Sequence, residues 1–386
     1  MGNHMLFTTP VLDEQEQEVL ARIDEVRRTL SYAVAARHWT GSIRRMVQAK
    51  AVQGSNSIEG IPVTVDDAIA AVDNEEPLEA GGEAWLAVTG YQSAMTYVLQ
   101  LSDDPHFSFS RGLIRSLHFM MLQHELPKHP GKWRPGPIYV RNDASGETVY
   151  EGPPESMVNG LMHELVNSLN EIDNAPILVR AAMAHLNLVM IHPFSDGNGR
   201  MARCIQTLVL ARQNILAPTF CSIEEYLGKN QQAYYDVLGQ VGAGAWHPER
   251  DARPWVRFCL TAHYRQATRL VQWSRIYQRL WDSLEIEINK RGLPDRMLLA
   301  LSDAALGYKV RNALYRKTAD ISELTASRDL KVLVDQKLLL PTGEKRGRFY
   351  TASPLVEQIG RAAWEAPTNV DPFTLTETFL PGMAPL

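Results

Sequence analysis

The run Ile191-His192-Pro193-Phe194-Ser195-Asp196-Gly197-Asn198-Gly199-Arg200-Met201-Ala202-Arg203 constrains this chain more than any other. A long apolar helical stretch reaches Ile191 and has to stop there, because His192 precedes Pro193 and a residue before proline avoids helical backbone. A second apolar helix begins at about Gly199. Between the two, Gly197 and Gly199 let the backbone turn its N–H groups toward one point. Those groups sit at a helix N-terminus, which favours an anion. Asn198 adds an amide donor, and Arg200 and Arg203, three apart, face one site. The loop is a polyphosphate cradle without a Walker lysine, since no GxxxxGK(S/T) pattern occurs in the chain.

Asp196 lies inside that cradle. A carboxylate beside phosphates calls for an intervening cation, and Mg²⁺ held by one carboxylate, phosphate oxygens and water meets the need. His192 stands at the rim, where an imidazole accepts a proton from an attacking hydroxyl. Base, metal carboxylate, anion cradle and two arginines are the parts of phosphoryl or nucleotidyl transfer, whose catalysis is mainly positioning and charge stabilisation.

Apolar spacing predicts a mostly helical chain. Helical positions run from Glu14 to Ala51 with a break near His38-Trp39-Thr40. Thr64 caps a helix with Asp66 and Asp67 in its first turn. Further helices cover Glu83–Leu101, Arg111–Gln123, Glu155–Ile172, Ile177–Ile191, Gly199–Gln213 and Ile223–Leu238. Ile138-Tyr139-Val140 and Thr148-Val149-Tyr150 flank a polar turn at Asn142 to Gly146, a short β-hairpin. The Gly-, Pro- and Trp-rich stretch Gly242–Arg253 is a soft boundary, followed by one or two helices to Lys290. Gly292-Leu293-Pro294 is a second boundary. The expected division is 1–100, an N-terminal helical region; 101–241, the catalytic core; 242–294, a helical linker; 295–353, a winged helix; and 354–386, a C-terminal helix and tail.

The Ile191–Arg203 stretch resembles the Fic motif, HxFx(D/E)GNGRxxR, at every specified position. The resemblance covers roughly residues 10 to 350 and takes in Gly131-Lys132-Trp133-Arg134. It implies a mainly α Fic-fold core with a hairpin flap, and a protein adenylyltransferase that moves AMP from ATP, with Mg²⁺, onto a Ser, Thr or Tyr hydroxyl of a target protein. By that resemblance His192 is the general base and Asp196 holds the metal. Phe194, Gly197, Asn198, Gly199, Arg200 and Arg203 bind the nucleotide, Asn230, Tyr234 and Tyr235 lie where the family holds adenine, and Ile138, Tyr139, Val140 and Val149 form the flap that takes the target backbone as an extra strand.

Ser55-Asn56-Ser57-Ile58-Glu59-Gly60 reads as a helix ending at a glycine with Glu59 near the end. A carboxylate at a helix C-terminus is electrostatically misplaced, so a cationic partner is expected elsewhere. The stretch resembles the family's N-terminal inhibitory motif, (S/T)xxxE(G/N). That implies Ser55, Glu59 and Gly60 form a brake in which Glu59 pairs with Arg203 and denies the γ-phosphate its anchor.

Plainer readings stand beside these. Tyr234 and Tyr235 read equally as core packing or adenine contacts, and Asn230 leans somewhat toward a ligand contact. His185, seven residues before His192, reads as a satisfied core histidine. His118 and His163 have no constellation around them. His124-Glu125-Leu126-Pro127-Lys128-His129 superficially suggests a zinc-protease motif, but the second histidine is one place late and Pro127 breaks the helix.

The chain has 386 residues, a formal net charge of -5 and three cysteines, Cys204, Cys221 and Cys259. The charge gives no global pull toward nucleic acid. An odd number of cysteines without a CxxC pair points to a reducing, cytoplasmic setting. No apolar run reaches the roughly 18 residues of a membrane span. Between Tyr308 and Tyr350, ten Lys/Arg stand against five Asp/Glu, a local +5. Arg328 to Gln336 is the candidate recognition helix, and Lys345, Arg346 and Arg348 the wing. The excess permits DNA contact, but an interaction or dimer module is favoured. Removal of AMP by the same site, a nucleotide-sensing DNA-binding regulator, and a different nucleotide or phosphocholine donor are the alternative functions.

Overall fold

The computed structural model describes residues 5–34, 37–141, 145–171, 174–216, 222–344 and 347–375. Cys221, Lys345, Arg346, residues 142–144 of the polar turn expected at Asn142 to Gly146, and the residues from 376 on lie outside them. The chain is mainly helical, with two small antiparallel hairpins. The N-terminal helices are α1 (Glu14–Val34), α2 (Thr40–Ile58), α3 (Val65–Val72) and α4 (Gly82–Gln100). Next come α5 (Arg111–Leu122), the hairpin strands β1 (Tyr139–Arg141) and β2 (Thr148–Glu151), α6 (Glu155–Asn170), α7 (Ile177–Ile191) and α8 (Asn198–Arg212). Then follow α9 (Glu224–Lys229), α10 (Gln231–Gly242) and α11 (Arg253–Lys290). The C-terminal part holds α12 (Met297–Ala305), α13 (Asn312–Thr318), α14 (Glu323–Asp335), β3 (Leu339–Thr342), β4 (Phe349–Ala352) and α15 (Pro354–Ala363).

Local chemistry sets several of these boundaries. Thr64 accepts the Asp67 N–H at 3.1 Å and starts α3, as its sequence position predicts. Ser110 and Ser322 cap α5 and α14 in the same way. One expectation changes. The helix expected over Ile223–Leu238 breaks at Asn230, whose φ of -123° and ψ of 39° are not helical. The stretch to Lys290, expected as one or two helices, is one continuous helix of 38 residues.

The apolar core is built on α7 and α8, which pack side by side, with α11 crossing behind α7 and lying along α1. Trp255 on α11 is fully buried and donates its indole N–H to the Ala182 carbonyl at 2.7 Å. This slab fixes the loop between α7 and α8.

The C-terminal helices and hairpin dock against the N-terminal side. Arg45 on α2 meets Asp303 on α12 at 2.5 Å. The Lys309 backbone N–H donates to Asp66 at 2.9 Å, Lys317 pairs with Glu75 at 2.7 Å, and Arg311 donates to the Glu76 carbonyl at 2.6 Å. Part of the local basic excess therefore neutralises acids of the chain's own residues 66–79. On α14, Leu330 and Leu333 point inward as expected, Val334 is half-buried, and Arg328 and Lys331 face solvent.

Candidate active site

The loop between α7 and α8 is held in shape by its own side chains. His192 ends α7 with left-handed backbone, φ 51° and ψ 57°, which is uncommon for a non-glycine residue. Gly197, at φ 73°, makes the return turn into α8. The side chain of Asn198 accepts the Phe194 N–H and donates to the Phe194 carbonyl, both at 2.9 Å. Its amide, expected to be a donor to an anion, is therefore committed to closing the loop. What Asn198 brings to an anion is its backbone N–H in the first turn of α8, whose ladder opens with Met201 N–H to Gly197 carbonyl at 2.9 Å. Phe194 is fully buried, so it acts as a wedge beneath the loop.

His118, which the sequence left without partners, belongs to this site. Its ring stacks on Phe194 at 3.7 Å between centroids. Gly131 N–H donates to Nδ1 at 2.8 Å, so Nε2 carries the proton and donates to the Asp196 carbonyl at 2.9 Å. Burial pushes its pKa down to about 4, so it is a neutral strut. Arg134 is the second unforeseen strut. Its Nε donates to the His192 carbonyl at 2.9 Å and its Nη1 to the Gly136 carbonyl at 2.6 Å, and a third bond reaches Pro153. The base of the flap is thereby tied to the residue before Pro193.

His192 Nδ1 lies 3.0 Å from the Val189 carbonyl. A carbonyl only accepts, so Nδ1 carries the hydrogen and Nε2 keeps a lone pair. Burial, the largest influence, holds the imidazole pKa below its ordinary value. Both features suit a proton acceptor. Asp196 accepts the Gly197 N–H at 2.6 Å through Oδ1 and meets Lys128 Nζ at 2.5 Å through Oδ2. Burial opposes its ionisation, but Lys128, Arg200 and the Gly197 N–H outweigh it and lower its pKa.

Arg200 and Arg203 are both buried. Arg200 Nε and Nη1, and Arg203 Nη1, have no hydrogen-bond partner among the described residues. Each such buried donor left unpartnered costs about 1–3 kcal/mol, and an anion reaching these donors would relieve that cost. Arg203 is otherwise occupied. Its Nε donates to Ser55 Oγ at 2.8 Å, and its Nη2 to the Ser55 carbonyl at 3.0 Å and to Glu59 Oε1 at 2.7 Å.

Glu59 reaches it through the way α2 ends. Gly60 takes φ 72°, and the Gly60 N–H to Ser57 and Ile61 N–H to Asn56 bonds, both 3.1 Å, close a Schellman motif. This turn leaves Glu59 at the helix end over the cradle. A Cβ on Gly199 would sit 2.6 Å from Glu59 Oε1. Upstream, α2 is seated where Gly54 meets α9. A Cβ on Gly54 would lie 2.5 Å from the Glu224 carbonyl oxygen, and one on Gly228 2.7 Å from Gly54 Cα.

The residues placed at adenine diverge. Tyr234 is buried with its hydroxyl 3.0 Å from His185 Nε2, and His185 Nδ1 lies 2.6 Å from Gln206. That makes His185 the satisfied core histidine expected and puts Tyr234 in the core beside it. Tyr235 is half exposed, with its hydroxyl on the Ile58 carbonyl at 3.0 Å. Asn230 is half-buried and donates to the Tyr226 carbonyl at 2.8 Å. At the flap, Ile138 precedes β1 and Tyr139 and Val149 are exposed. Val140 pairs with Tyr150, whose hydroxyl donates to the Met190 carbonyl at 2.7 Å.

Among the described residues no three His, Cys, Asp or Glu side chains form a metal cage. Mg²⁺ fits Asp196 only in company with nucleotide oxygens and water, its usual mode.

Residues 108–210 match the model of the Fic/DOC family. Protein adenylyltransferase Fic of Nematostella vectensis is 29% identical over 262 residues, 64% of this chain and 55% of that protein. Protein adenylyltransferase fic-1 of Caenorhabditis elegans is 26% identical over 258 residues, 65% of this chain and 46% of that protein. The chain spans about half the length of the curated relatives it matches. A Fic family protein from Desulfovibrio desulfuricans G20 superposes with a TM-score of 0.57 at 21% identity, over 90% of this chain and 98% of that one. A Fic domain-containing signaling protein from Bacteroides thetaiotaomicron does so with 0.54 at 20% identity, over 66% of this chain and 96% of that one. These likenesses establish the Fic fold of the helical core.

Proposed function

We propose that this chain, whose residues 108–210 match the Fic/DOC family, transfers AMP from ATP to a Ser, Thr or Tyr hydroxyl of a target protein and is restrained by Glu59. The observation that carries the reading is the set of buried, unpartnered guanidinium donors of Arg200 and Arg203 beside the first turn of α8. The adenylyltransferase relatives support it.

In this reading the target hydroxyl gives its proton to His192 Nε2 as its oxygen attacks the α-phosphorus, and pyrophosphate leaves. The backbone N–H groups of Asn198 and Gly199 and the Arg200 guanidinium take up charge on the phosphate oxygens, while the Gly197 N–H, expected to join them, holds Asp196 Oδ1. Arg203 anchors the γ-phosphate once Glu59 withdraws. Mg²⁺, held by Asp196, supplies neutralisation of phosphate charge when bound. His118 and Phe194 keep the loop rigid beneath these groups. The target backbone pairs along the flap at Ile138, Tyr139, Val140 and Val149, and Asn230 and Tyr235 sit at the adenine end with Tyr234 packing behind them.

Removal of AMP is a second reading, favoured by the Glu59 carboxylate lying against Gly199, where it is placed to orient a water. We read α12 to β4 as a winged helix that docks on α3 and the loop after it rather than on DNA, because Lys309, Arg311 and Lys317 face residues 66–79. The expected domain limits, a cytoplasmic setting and a homodimer belong to the same proposal. Among the described residues no helix is long and apolar enough to cross a membrane.

The test is incubation of the Glu59→Gly variant with ATP labelled at the α- or the γ-phosphate. Label from the α position alone, lost in Glu59→Gly/His192→Ala, supports the reading. Transfer of the γ label, or none from either position, removes it.

A further inference from the structure

We propose that Lys128 shields the Asp196 carboxylate from divalent cations until a nucleotide arrives, so that metal binding requires the Lys128–Asp196 pair to open. The inference rests on the reading of Asp196 as the metal carboxylate. Lys128 ends a short 3₁₀ turn, Leu126–Lys128, with Pro127 at the start of it. The left-handed His129, at φ 53°, turns the chain away again. Lys128 Nζ is thereby brought 2.5 Å from Asp196 Oδ2 and 2.8 Å from Glu125 Oε2. Asp196 Oδ1 is engaged by the Gly197 N–H at 2.6 Å. Both carboxylate oxygens are occupied, and the one facing away from the loop backbone holds an ammonium where a cation would bind.

Mg²⁺ needs an oxygen at about 2.0–2.1 Å and brings two charges. An ammonium and a divalent cation on one oxygen repel each other strongly in a half-buried site. The negative charge of a triphosphate removes that conflict, because it gives both cations other partners. Glu125 already offers Lys128 a second carboxylate. The pair thus favours entry of the metal together with the nucleotide. The side chains of Lys128 and Asp196 are 44% and 30% exposed, so the pair is partly solvated and its effect is modest.

Titration of the nucleotide-free 386-residue chain with Mn²⁺ alone, followed by water-proton relaxation, reads this directly. Lys128→Met is expected to bind Mn²⁺ about two- to fivefold more tightly than the parent, the scale of a partly exposed ion pair. Lys128→Arg is expected to match the parent, and Lys128→Met/Asp196→Asn to lose the gain. Unchanged or weaker Mn²⁺ binding in Lys128→Met, or equal gains in Lys128→Arg, overturns the proposal. Calorimetry of Mg·ATP with Glu59→Gly keeps the two readings apart. Uptake there with no Mn²⁺ gain in Lys128→Met rejects the role of Lys128 and leaves the nucleotide site standing.

Discussion

Glu59 Oε1 lies 2.7 Å from Arg203 Nη2, a contact across 144 residues of sequence that joins the end of α2 to the first turns of α8. The Arg203 side chain is 1% exposed. Burial alone would lower its pKa, but Glu59 and its other neighbours reverse that and keep it firmly charged. Removing the carboxylate leaves a buried cation seeking an anion, which a γ-phosphate supplies. Glu59→Gly is therefore expected to raise the initial rate of AMP incorporation at least tenfold, the scale of one largely buried ion pair. A rate equal to that of the intact chain counts against the brake.

The seat of α2 gives an independent handle on the same device. A methyl on Gly54 or Gly228 meets backbone atoms, which cannot step aside as a flexible side chain would. Gly228→Ala should cost about 1–3 kcal/mol in urea unfolding, the usual range for overpacking. It should also raise transfer above that of the intact chain, because α2 must lift from α9 and carry Glu59 with it. Full stability together with unchanged transfer would show that the close approach is not needed.

His192 is held below its ordinary pKa of 6.5, first by burial. The neutral ring is the form that accepts a proton, so activity is lost only as pH falls through this lowered value. The acid limb of kcat/KM for Glu59→Gly is expected below pH 6.5. A limb above that value contradicts the assignment of His192 as base.

Burial also holds His185 and His263 down at about 3 each. In the unfolded chain both take up protons near pH 6.5, while the folded chain resists. Their contribution to stability is present above pH 6.5 and lost as pH falls from there toward 3. The Tm is expected to drop over that range, with a shallower slope in His263→Leu. An identical slope in the variant would mean that His263 is protonated in the folded state.

The loop between α7 and α8, the hairpin and the end of α2 are legible because each is written in contiguous residues. Pro193, Gly197 and Gly60 fix backbone turns locally, and Thr64 caps its own helix. The struts of the site were not legible, because they are tertiary pairs. His118 reaches Asp196 across 78 positions and Lys128 across 68, and no local spacing announces either. The break at Asn230 was missed for a related reason. Lys229-Asn230-Gln231 contains no glycine or proline, and α9 lies in close approach to α2 at Gly54, a tertiary contact. Asn198 was read as a ligand donor because its type fits that role. Only the fold shows its amide turned back onto Phe194.

Calorimetric titration of Mg·ATP into the intact chain, Glu59→Gly and Glu59→Gly/Arg200→Ala tests the central claim most directly. The account predicts uptake of one nucleotide per chain by Glu59→Gly, tighter than by the intact chain, and at least tenfold weaker binding once Arg200 is removed. No uptake by Glu59→Gly, or affinity indifferent to Arg200, would contradict it.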